Sequence, residues 1–272
     1  MSEKMRLDKL LRREEYFPSR SKAKRSIMAG QVYVNGELVD KAGTQVEIDA
    51  EIEVKGNDNP YVSRGGLKLE KALKEFNVNP AGKEIIDVGA STGGFTDCLL
   101  QKGADKVYAV DVGYGQLAWK LREDPRVEIL EKTNFRHLTT EDLSVEVPLV
   151  VIDVSFISLR LIIPPALQFL KERGEIVTLV KPQFEAGPER VGNKGLIKDK
   201  HVHQDVLNEL SEFFDSKSLF LKNLTYSPIT GASSKNIEFL MHLTKNGDNN
   251  LDNWLQKVEK TVNTAHRELV NG

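Results

Sequence analysis

The chain has 272 residues, of which 40% are hydrophobic and 29% are charged, and its formal net charge is −2. This composition is typical of a globular protein with a sizeable core and excludes a wholly disordered chain or a coiled coil. The single cysteine, Cys98, excludes an intramolecular disulfide and indicates a reducing compartment. The beginning of the chain is charged and no run of 18 apolar residues occurs, so the sequence predicts a cytoplasmic protein.

The first 60 residues divide into a basic and an acidic half. Residues 1–30 carry nine basic and four acidic side chains, whereas residues 31–60 carry two basic and seven acidic ones. A basic segment of this kind is what phosphate binding requires, but an ordinary solvated helix face has the same composition. Charge alone therefore leaves a nucleic-acid contact and a plain surface helix equally open.

The residue pattern of the same region predicts two helices and a small sheet. Three leucines between residues 7 and 11 have helical spacing, and a second helix is predicted to begin after Ser19 or Ser21. An Asn-Gly pair at 35–36, between two short apolar runs, predicts a β-hairpin. Two more short strands precede a stretch at 56–60 that is rich in Gly, Asn and Pro and predicts a domain boundary.

A basic helix pair that leads into such a hairpin resembles the alpha-L RNA-binding domain, first known from ribosomal protein S-four. The resemblance rests on residues 6–11, 19–23 and 30–36. In that family the two helices present basic side chains to structured RNA, which is recognised through phosphates, 2′-hydroxyls and shape. The side chains that we expect to contact RNA are Arg6, Lys9, Arg20, Lys22, Lys24 and Arg25 in the two helices and Arg64 farther along the chain.

Strand and helix patterns alternate in the larger part of the chain. Apolar strand-like runs separated by helical stretches are typical of a parallel sheet with helices on both faces. The runs lie at 84–88, 106–111, 127–130, 149–153 and 176–180, followed by two later strands at 219–225 and 237–243. The helices between and after the runs are predicted at 96–102, 158–171 and 199–214. The sequence therefore predicts an α/β protein with a doubly wound Rossmann-like sheet and a small N-terminal α+β domain.

These patterns predict four parts of the chain. An RNA-binding domain at 1–56 is followed by a linker at 57–63, and the α/β domain occupies 64–245. Apolar residues at helical spacing within 246–272 predict an amphipathic helix packed on the α/β domain.

In a doubly wound sheet, the ligand site lies at the carboxyl ends of the strands. The first strand ends at Asp87 before a Gly-rich loop and a helix, and the second ends in Asp111, which can accept hydrogen bonds from both hydroxyls of a ribose. These features suit either a dinucleotide or S-adenosylmethionine. Ser91 replaces the second glycine of the dinucleotide fingerprint, and Asp87 would repel a pyrophosphate but can bind an amino group. Methyl transfer is therefore favoured over hydride transfer.

Asn134 follows the third strand, where this class of fold contacts adenine, although its side chain could instead only cap a turn. The histidines have no cysteine partners, so no metal site is expected. The residues that we expect to hold S-adenosylmethionine are Asp87, Gly89, Ala90, Ser91, Gly93, Gly94, Phe95, Asp111 and Asn134.

Four ionisable residues, Lys68, Asp153, Lys181 and Glu238, lie at the edges of predicted elements. Asp153 and Lys181 directly follow apolar strand cores and would emerge at the ligand-binding edge of the sheet. A lysine there can act as a base or orient a hydroxyl, which a ribose 2′-hydroxyl needs because it is a poor nucleophile until its proton is accepted. Any one of the four would be explained as a surface charge or a strand-end cap, but their joint placement favours a catalytic site.

Nearly the whole chain resembles the TlyA family, also called haemolysin A-like, of S-adenosylmethionine-dependent ribosomal RNA 2′-O-methyltransferases. The motifs that carry the resemblance lie at 61–69, 87–97, 153–159, 180–185, 227–229 and 236–240. The catalytic domain of that family is similar to the FtsJ-type 2′-O-methyltransferases, which use a Lys–Asp–Lys–Glu tetrad. The resemblance implies that Lys181 activates the 2′-hydroxyl of a cytidine in ribosomal RNA and that Lys68, Asp153 and Glu238 position it and tune its charge.

One position departs from that family's pattern. Lys235 stands where a Gly usually precedes the Asn before the last tetrad residue, so the turn that leads to Glu238 is expected to differ. Lys235 itself is interpreted as a solvated loop residue, with an added phosphate contact as the alternative.

The sequence favours an RNA methyltransferase that acts on ribosomal subunits and binds neither membranes nor DNA over three other functions. A ribosome-binding or assembly factor without activity is disfavoured by the presence of all four tetrad residues. A haemolysin that acts on membranes is disfavoured because no segment beyond the N-terminal helices combines a large apolar face with clustered basic residues. A nicotinamide-dependent oxidoreductase is disfavoured by Ser91 and Asp87.

Overall fold

The chain divides into two compact units, Met1–Pro60 and Tyr61–Gly272. The computed structural model describes residues 4–14, 16–17, 19–28, 30–54, 59–192, 195–231, 236–245 and 252–269. The division falls inside the segment predicted as a linker, of which residues 57 and 58 lie outside the described part.

The first unit is an α+β fold whose helices pack on short strands. Ser19, rather than Ser21, caps the second helix, because its Oγ accepts a hydrogen bond from the backbone N–H of Lys22 at 3.2 Å. Asn35 and Gly36 both have positive φ, as a tight hairpin turn requires, and the predicted hairpin is confirmed. The elements are β1 (Lys4–Arg6), α1 (Leu7–Arg13), α2 (Arg20–Met28), β2 (Val32–Val34), β3 (Glu37–Leu38), β4 (Gln45–Glu47) and β5 (Ile52–Val54).

The second unit is built on a seven-stranded sheet. Its strands are β6 (Glu84–Val88), β7 (Lys106–Val110), β8 (Val127–Leu130), β9 (Val147–Ile152), β10 (Leu170–Val180), β11 (Leu219–Tyr226) and β12 (Phe239–Lys245). Their order across the sheet is β11-β12-β10-β9-β6-β7-β8. β12 is antiparallel to both of its neighbours, whereas the pairs from β10 through β8 are parallel. The parallel arrangement predicted from the first five strand-like runs is confirmed, and β12 is antiparallel because it is joined to β11 without a crossover helix in the described residues.

The helices of the second unit are α3 (Gly65–Phe76), α4 (Gly94–Gln101), α5 (Trp119–Arg122), α6 (Ile163–Phe169), α7 (Pro182–Glu185), α8 (Lys200–Asp215) and α9 (Trp254–Leu269). Alternate residues of the strands pack against opposite faces of the sheet. Ile86 and Val150 belong to a core shared with α6, α8 and α9, and Ile85 and Val151 belong to a second core shared with α3 and α4. Helices thus cover both faces, as predicted for a doubly wound domain. Of the predicted C-terminal segment, residues 246–251 and 270–272 lie outside the described part.

The helix predicted at 158–171 is wrong at both ends. A 3-10 turn at Leu159–Leu161 precedes α6, and β10 already begins at Leu170. Two prolines follow Ile163 at the start of α6, where their fixed φ and missing N–H are tolerated, so the helix begins there. The pattern of apolar residues also does not predict α3, the helix that carries Lys68. Within the described residues, no helix has both the length and the apolar composition needed to cross a bilayer.

A buried pair of histidines joins α8 to α9. His203 Nδ1 lies 2.9 Å from His266 Nε2, and the other ring nitrogen of His203 is buried without a hydrogen-bond partner. Because an unpaired N–H would be costly to bury, we infer that His203 carries its proton on Nδ1 and donates it to His266. Burial, and to a lesser degree the nearby His266, lowers the pKa of His203 to about 4.

We expect His203 to make the free energy of unfolding fall as the pH drops from 6.5, its ordinary pKa, to about 4. Between these pH values His203 binds a proton in the unfolded chain but not in the folded one. The contribution of His203 to the free energy of unfolding, which is complete above pH 6.5, therefore falls by roughly 3 kcal/mol as the pH approaches 4. Other groups titrate in the same interval, so the contribution is read from urea denaturation as the difference between the wild type and His203→Gln. A difference that stays constant from pH 7 to pH 4 would contradict this expectation.

Candidate active site

The Gly-rich loop between β6 and α4 is tightly packed. Gly89 and Gly93 have φ of +87° and +96°, a backbone region that favours glycine. A Cβ on Gly89 would lie 2.4 Å from the carbonyl oxygen of Asp153, and one on Gly93 would lie 2.2 Å from the side chain of Leu121. Only glycine therefore fits at these two positions.

The register of the sheet brings the predicted site residues to one edge. Val88 pairs with Val110 on one side and with Ile152 on the other, so Gly89, Asp111 and Asp153 all emerge at the same level. A cavity of about 400 Å³ opens there, a size typical of sites for small molecules. Its lining includes Gly89, Ser91, Asp111, Asn134 and Asp153 from the prediction and Gln116 and Phe156, which the sequence had not indicated. A larger groove on the outer side of α3, about 970 Å³, contains none of the predicted site residues.

Asp111 and Asn134 are both held by backbone N–H groups. Asp111 accepts hydrogen bonds from the N–H of Ser91 at 2.8 Å and of Gly113 at 2.6 Å, one on each carboxylate oxygen. Each oxygen has a further lone pair that a ribose hydroxyl can use. Asn134 Oδ1 accepts from the N–H of Arg136 at 3.2 Å, so it does cap a turn, and it also lines the cavity.

Asp87 is fully buried at the end of β6. One carboxylate oxygen accepts a hydrogen bond from Thr96 Oγ1 at 2.6 Å, while Oδ1 is buried without a hydrogen-bond partner. Burial, and to a lesser degree the charge of Asp153, raises the pKa of Asp87 to about 7. An unpaired anionic oxygen beside the loop fits a cationic group of a ligand.

The four ionisable residues form two ion pairs. Lys68 Nζ, on α3, lies 2.5 Å from Glu238 Oε2, and Lys181 Nζ, after β10, lies 2.6 Å from Asp153 Oδ1, after β9. The strand register places the pairs side by side, because Thr178 pairs with Ile152 and Val180 pairs with Phe239.

The two pairs differ in exposure. The side chains of Lys68 and Glu238 are 10% and 4% exposed, and those of Lys181 and Asp153 are 10% and 19% exposed. Lys181 also donates a hydrogen bond to Ser155 Oγ at 2.8 Å. The two carboxylates therefore differ in exposure while the two lysines do not, and Asp153 lines the cavity. Lys235, whose turn was expected to differ, lies outside the described residues.

Two residues of this site were missed by sequence reasoning. Phe156 is 89% exposed, has a positive φ and packs on Phe184 with ring centroids 5.0 Å apart. Glu185 is buried and accepts hydrogen bonds from Ser158 Oγ at 2.7 Å, from the N–H of Leu159 at 2.8 Å and from Arg160 at 3.1 Å. The segments 153–159 and 181–185 are thereby joined through Lys181, through Glu185 and through the contact of Phe156 with Phe184. Both residues lie in motifs that the sequence had shown, but their partners are set by the tertiary fold.

The basic side chains predicted in the first unit are exposed on and beside α1 and α2. Two of them, Arg6 and Arg20, form ion pairs with the buried Asp8. Arg64, in the second unit, is exposed and donates a hydrogen bond to the carbonyl of Thr230 at 2.6 Å. Among the described residues, no group of His, Cys, Asp and Glu has an arrangement that could hold a metal ion.

Comparison with known proteins identifies both units. Residues 61–245 match the FtsJ-like methyltransferase family and residues 5–52 match the S4 domain. The chain is 51% identical to Bacillus subtilis YqxC, over 98% of this chain and 96% of that one. It is 40% identical to Mycobacterium tuberculosis TlyA, named a 16S/23S rRNA (cytidine-2′-O)-methyltransferase, over 100% of both chains.

A solved structure shows the same architecture. It is that of a Streptococcus thermophilus protein named for hemolysin, and it is 45% identical, with a TM-score of 0.79 over 100% of this chain and 98% of that one. The resemblances inferred from the sequence are confirmed: the chain belongs to the FtsJ-like methyltransferase family, within its TlyA group, and carries an N-terminal S4 domain.

Proposed function

We propose that this protein methylates the 2′-hydroxyl of a cytidine in ribosomal RNA with S-adenosylmethionine as methyl donor. The observation that carries the proposal is the pair of lysine–carboxylate ion pairs beside a Gly-rich loop and cavity at the carboxyl ends of the strands. The name of the 40% identical TlyA protein gives the same reaction for that relative.

The residues around the cavity fit S-adenosylmethionine. The unpaired oxygen of Asp87 suits its ammonium group, the carboxylate of Asp111 suits its ribose, and Asn134 suits its adenine. Gly89, Ala90, Ser91, Gly93, Gly94 and Phe95 provide the loop and the helix start on which it would lie. When bound, the cofactor supplies an electrophilic methyl group on a sulfonium.

Lys181 would orient and activate the substrate hydroxyl. The ammonium group of Lys181 has three N–H donors, and its nitrogen lies within hydrogen-bond distance of two acceptors, Asp153 and Ser155. Lys181 would accept the proton of the substrate hydroxyl as its oxygen takes up the methyl group that the bound cofactor would supply. Lys68 and Glu238 add a neutral, buried pair beside it, which holds the local charge fixed.

RNA recognition would be shared between the units. The exposed basic side chains of α1 and α2 suit phosphates of folded ribosomal RNA, and the S4 match supports this role. Phe156, exposed at the cavity beside Ser155, suits stacking on an unpaired base. Such a substrate would be met on ribosomal subunits, so we propose that the protein acts in the cytoplasm.

The test is transfer of labelled methyl from S-adenosylmethionine to ribosomal subunits that lack the modification. We expect the label in RNA as an alkali-stable 2′-O-methyl nucleotide. Cofactor binding without labelling of either subunit or of free RNA would instead support a ribosome-binding factor that retains the fold.

We also expect Glu185→Gln to lower kcat for methyl transfer about tenfold while the KM for S-adenosylmethionine stays within twofold. In the variant, the N–H groups of the amide would face another donor, either the N–H of Leu159 or the guanidinium of Arg160, so one hydrogen bond would be lost. The loss of a hydrogen bond to a charged group costs about 1.5–3 kcal/mol. Glu209→Gln is the matched control, because Glu209 also binds Arg160 but makes no bond to the segment 153–159. Equal kcat in both variants would show that Glu185 does not position this site.

A further inference from the structure

Asp8, in the first turn of α1, binds two guanidinium groups. Arg6 donates to both carboxylate oxygens, from Nε at 3.0 Å and from Nη2 at 3.2 Å, and Arg20 Nη2 donates to Oδ2 at 2.8 Å. The Asp8 side chain is 4% exposed, against 44% for Arg6 and 53% for Arg20. One buried acid therefore holds two exposed cations that come from β1 and α2.

The arrangement keeps the acid ionised and out of contact with solvent. A buried carboxylate is costly unless it is paired, and the hydrogen bonds from Arg6 and Arg20 lower the pKa of Asp8 to about 2. The backbone N–H of Asp8 donates to the carbonyl of Ala42, and the guanidinium of Arg6 lies over Gly43, where a Cβ would come within 3.5 Å of Nη1. Asp8 is thus held by both its backbone and its side chain, and it binds Arg6 beside Gly43.

We propose that Asp8 is a positioning residue for RNA binding, which sets the guanidiniums of Arg6 and Arg20 at a fixed spacing so that they bind neighbouring phosphates together. A guanidinium has five N–H donors, so each arginine retains donors after binding Asp8. Fixing the two side chains before binding reduces the conformational entropy that they lose on binding. The inference rests on the proposed function, because it requires that the first unit bind RNA.

Removal of the Asp8 charge should have opposite effects on RNA binding if Asp8 positions the arginines and if only the net charge of the surface matters. Removing an acid from a basic surface adds one unit of positive charge and should tighten binding to a polyanion. A positioning role predicts the opposite result for Asp8. Glu14→Gln is the matched control: it removes the same charge from the same unit, and Glu14 pairs with Arg13, which is not an expected RNA contact.

The experiment measures binding of the full chain to purified ribosomal subunits that lack the modification, over a range of salt concentrations. We expect Asp8→Asn to raise Kd about tenfold and to make the dependence of log Kd on log salt shallower by about one phosphate contact, while Glu14→Gln binds as tightly as the wild type or tighter. Asp8→Glu, which keeps the charge, should recover part of the loss. The Kd for S-adenosylmethionine should stay unchanged in all variants.

A double-mutant cycle with Arg20→Ala separates positioning from damage to the fold. If Asp8 acts through Arg20, then Asp8→Asn costs much less in the Arg20→Ala background than in the wild type. An equal loss in both backgrounds, or tighter binding by Asp8→Asn, would overturn the inference while the proposed function stands. Wild-type protein that binds neither subunit would overturn both the inference and the RNA-binding part of the proposed function.

Discussion

Replacement of Lys181 by alanine is expected to lower methyl transfer to unmodified ribosomal subunits by a factor of about 10²–10⁴, the range for loss of a general base. The affinity for S-adenosylmethionine should change by less than about threefold, because Lys181 contacts Asp153 and Ser155 rather than the residues expected to hold the cofactor. The variant also leaves Asp153 without its cation, which adds to the loss through the unpaired carboxylate.

The measurement is a single-turnover transfer of labelled methyl, with S-adenosylmethionine binding determined by calorimetry on the same samples. Lys171→Ala, an exposed lysine at the opposite end of β10, is the matched control and should retain wild-type activity. Lys181→Arg keeps the positive charge but cannot act as a base, so it should be as inactive as the alanine variant. An active arginine variant would show that the charge orients the hydroxyl without accepting its proton, and an active alanine variant would refute the catalytic role.

The placement of Asp153 and Lys181 was predictable because it depends on strand ends alone. Each follows an apolar run that had to be a buried strand, and parallel neighbours end at the same edge of a sheet. The antiparallel direction of β12 was not predictable in this way, because a run of apolar residues is the same in either direction. Glu238 could therefore be assigned only from the family motif, and it is the strand register that sets it beside Lys181.

The partners of single side chains were the least predictable feature. Glu185 and Phe156 lie in the family motifs at 180–185 and 153–159, but the contacts of Glu185 with Ser158 and Leu159 join residues 26 to 27 positions apart in the sequence. The spacing of apolar residues along the sequence carries no information about such a long-range contact. Asp8 is a similar case: its place in a basic segment predicted a charge that offsets its neighbours, and only the fold shows that it is buried between two arginines.

The affinity for S-adenosylmethionine is expected to weaken as the pH falls through about 7, because Asp87 must be ionised to bind an ammonium group. Burial raises the pKa of Asp87 to about 7 in the protein without ligand, so a proton and the ligand compete for the same carboxylate. Below that pKa the ionised fraction falls tenfold for each pH unit, and Kd should rise by up to about tenfold per unit.

Calorimetry from pH 6 to pH 8.5, in buffers of different ionisation enthalpy, measures both Kd and the protons released. At pH 6 the binding of S-adenosylmethionine should release close to one proton, since the ammonium group displaces the proton held by Asp87. Asp87→Asn should bind more weakly, with a Kd that does not depend on pH and without proton release. A wild-type Kd that is constant between pH 6 and pH 8, without proton release, would show that no proton competes with S-adenosylmethionine for Asp87 and would contradict this prediction.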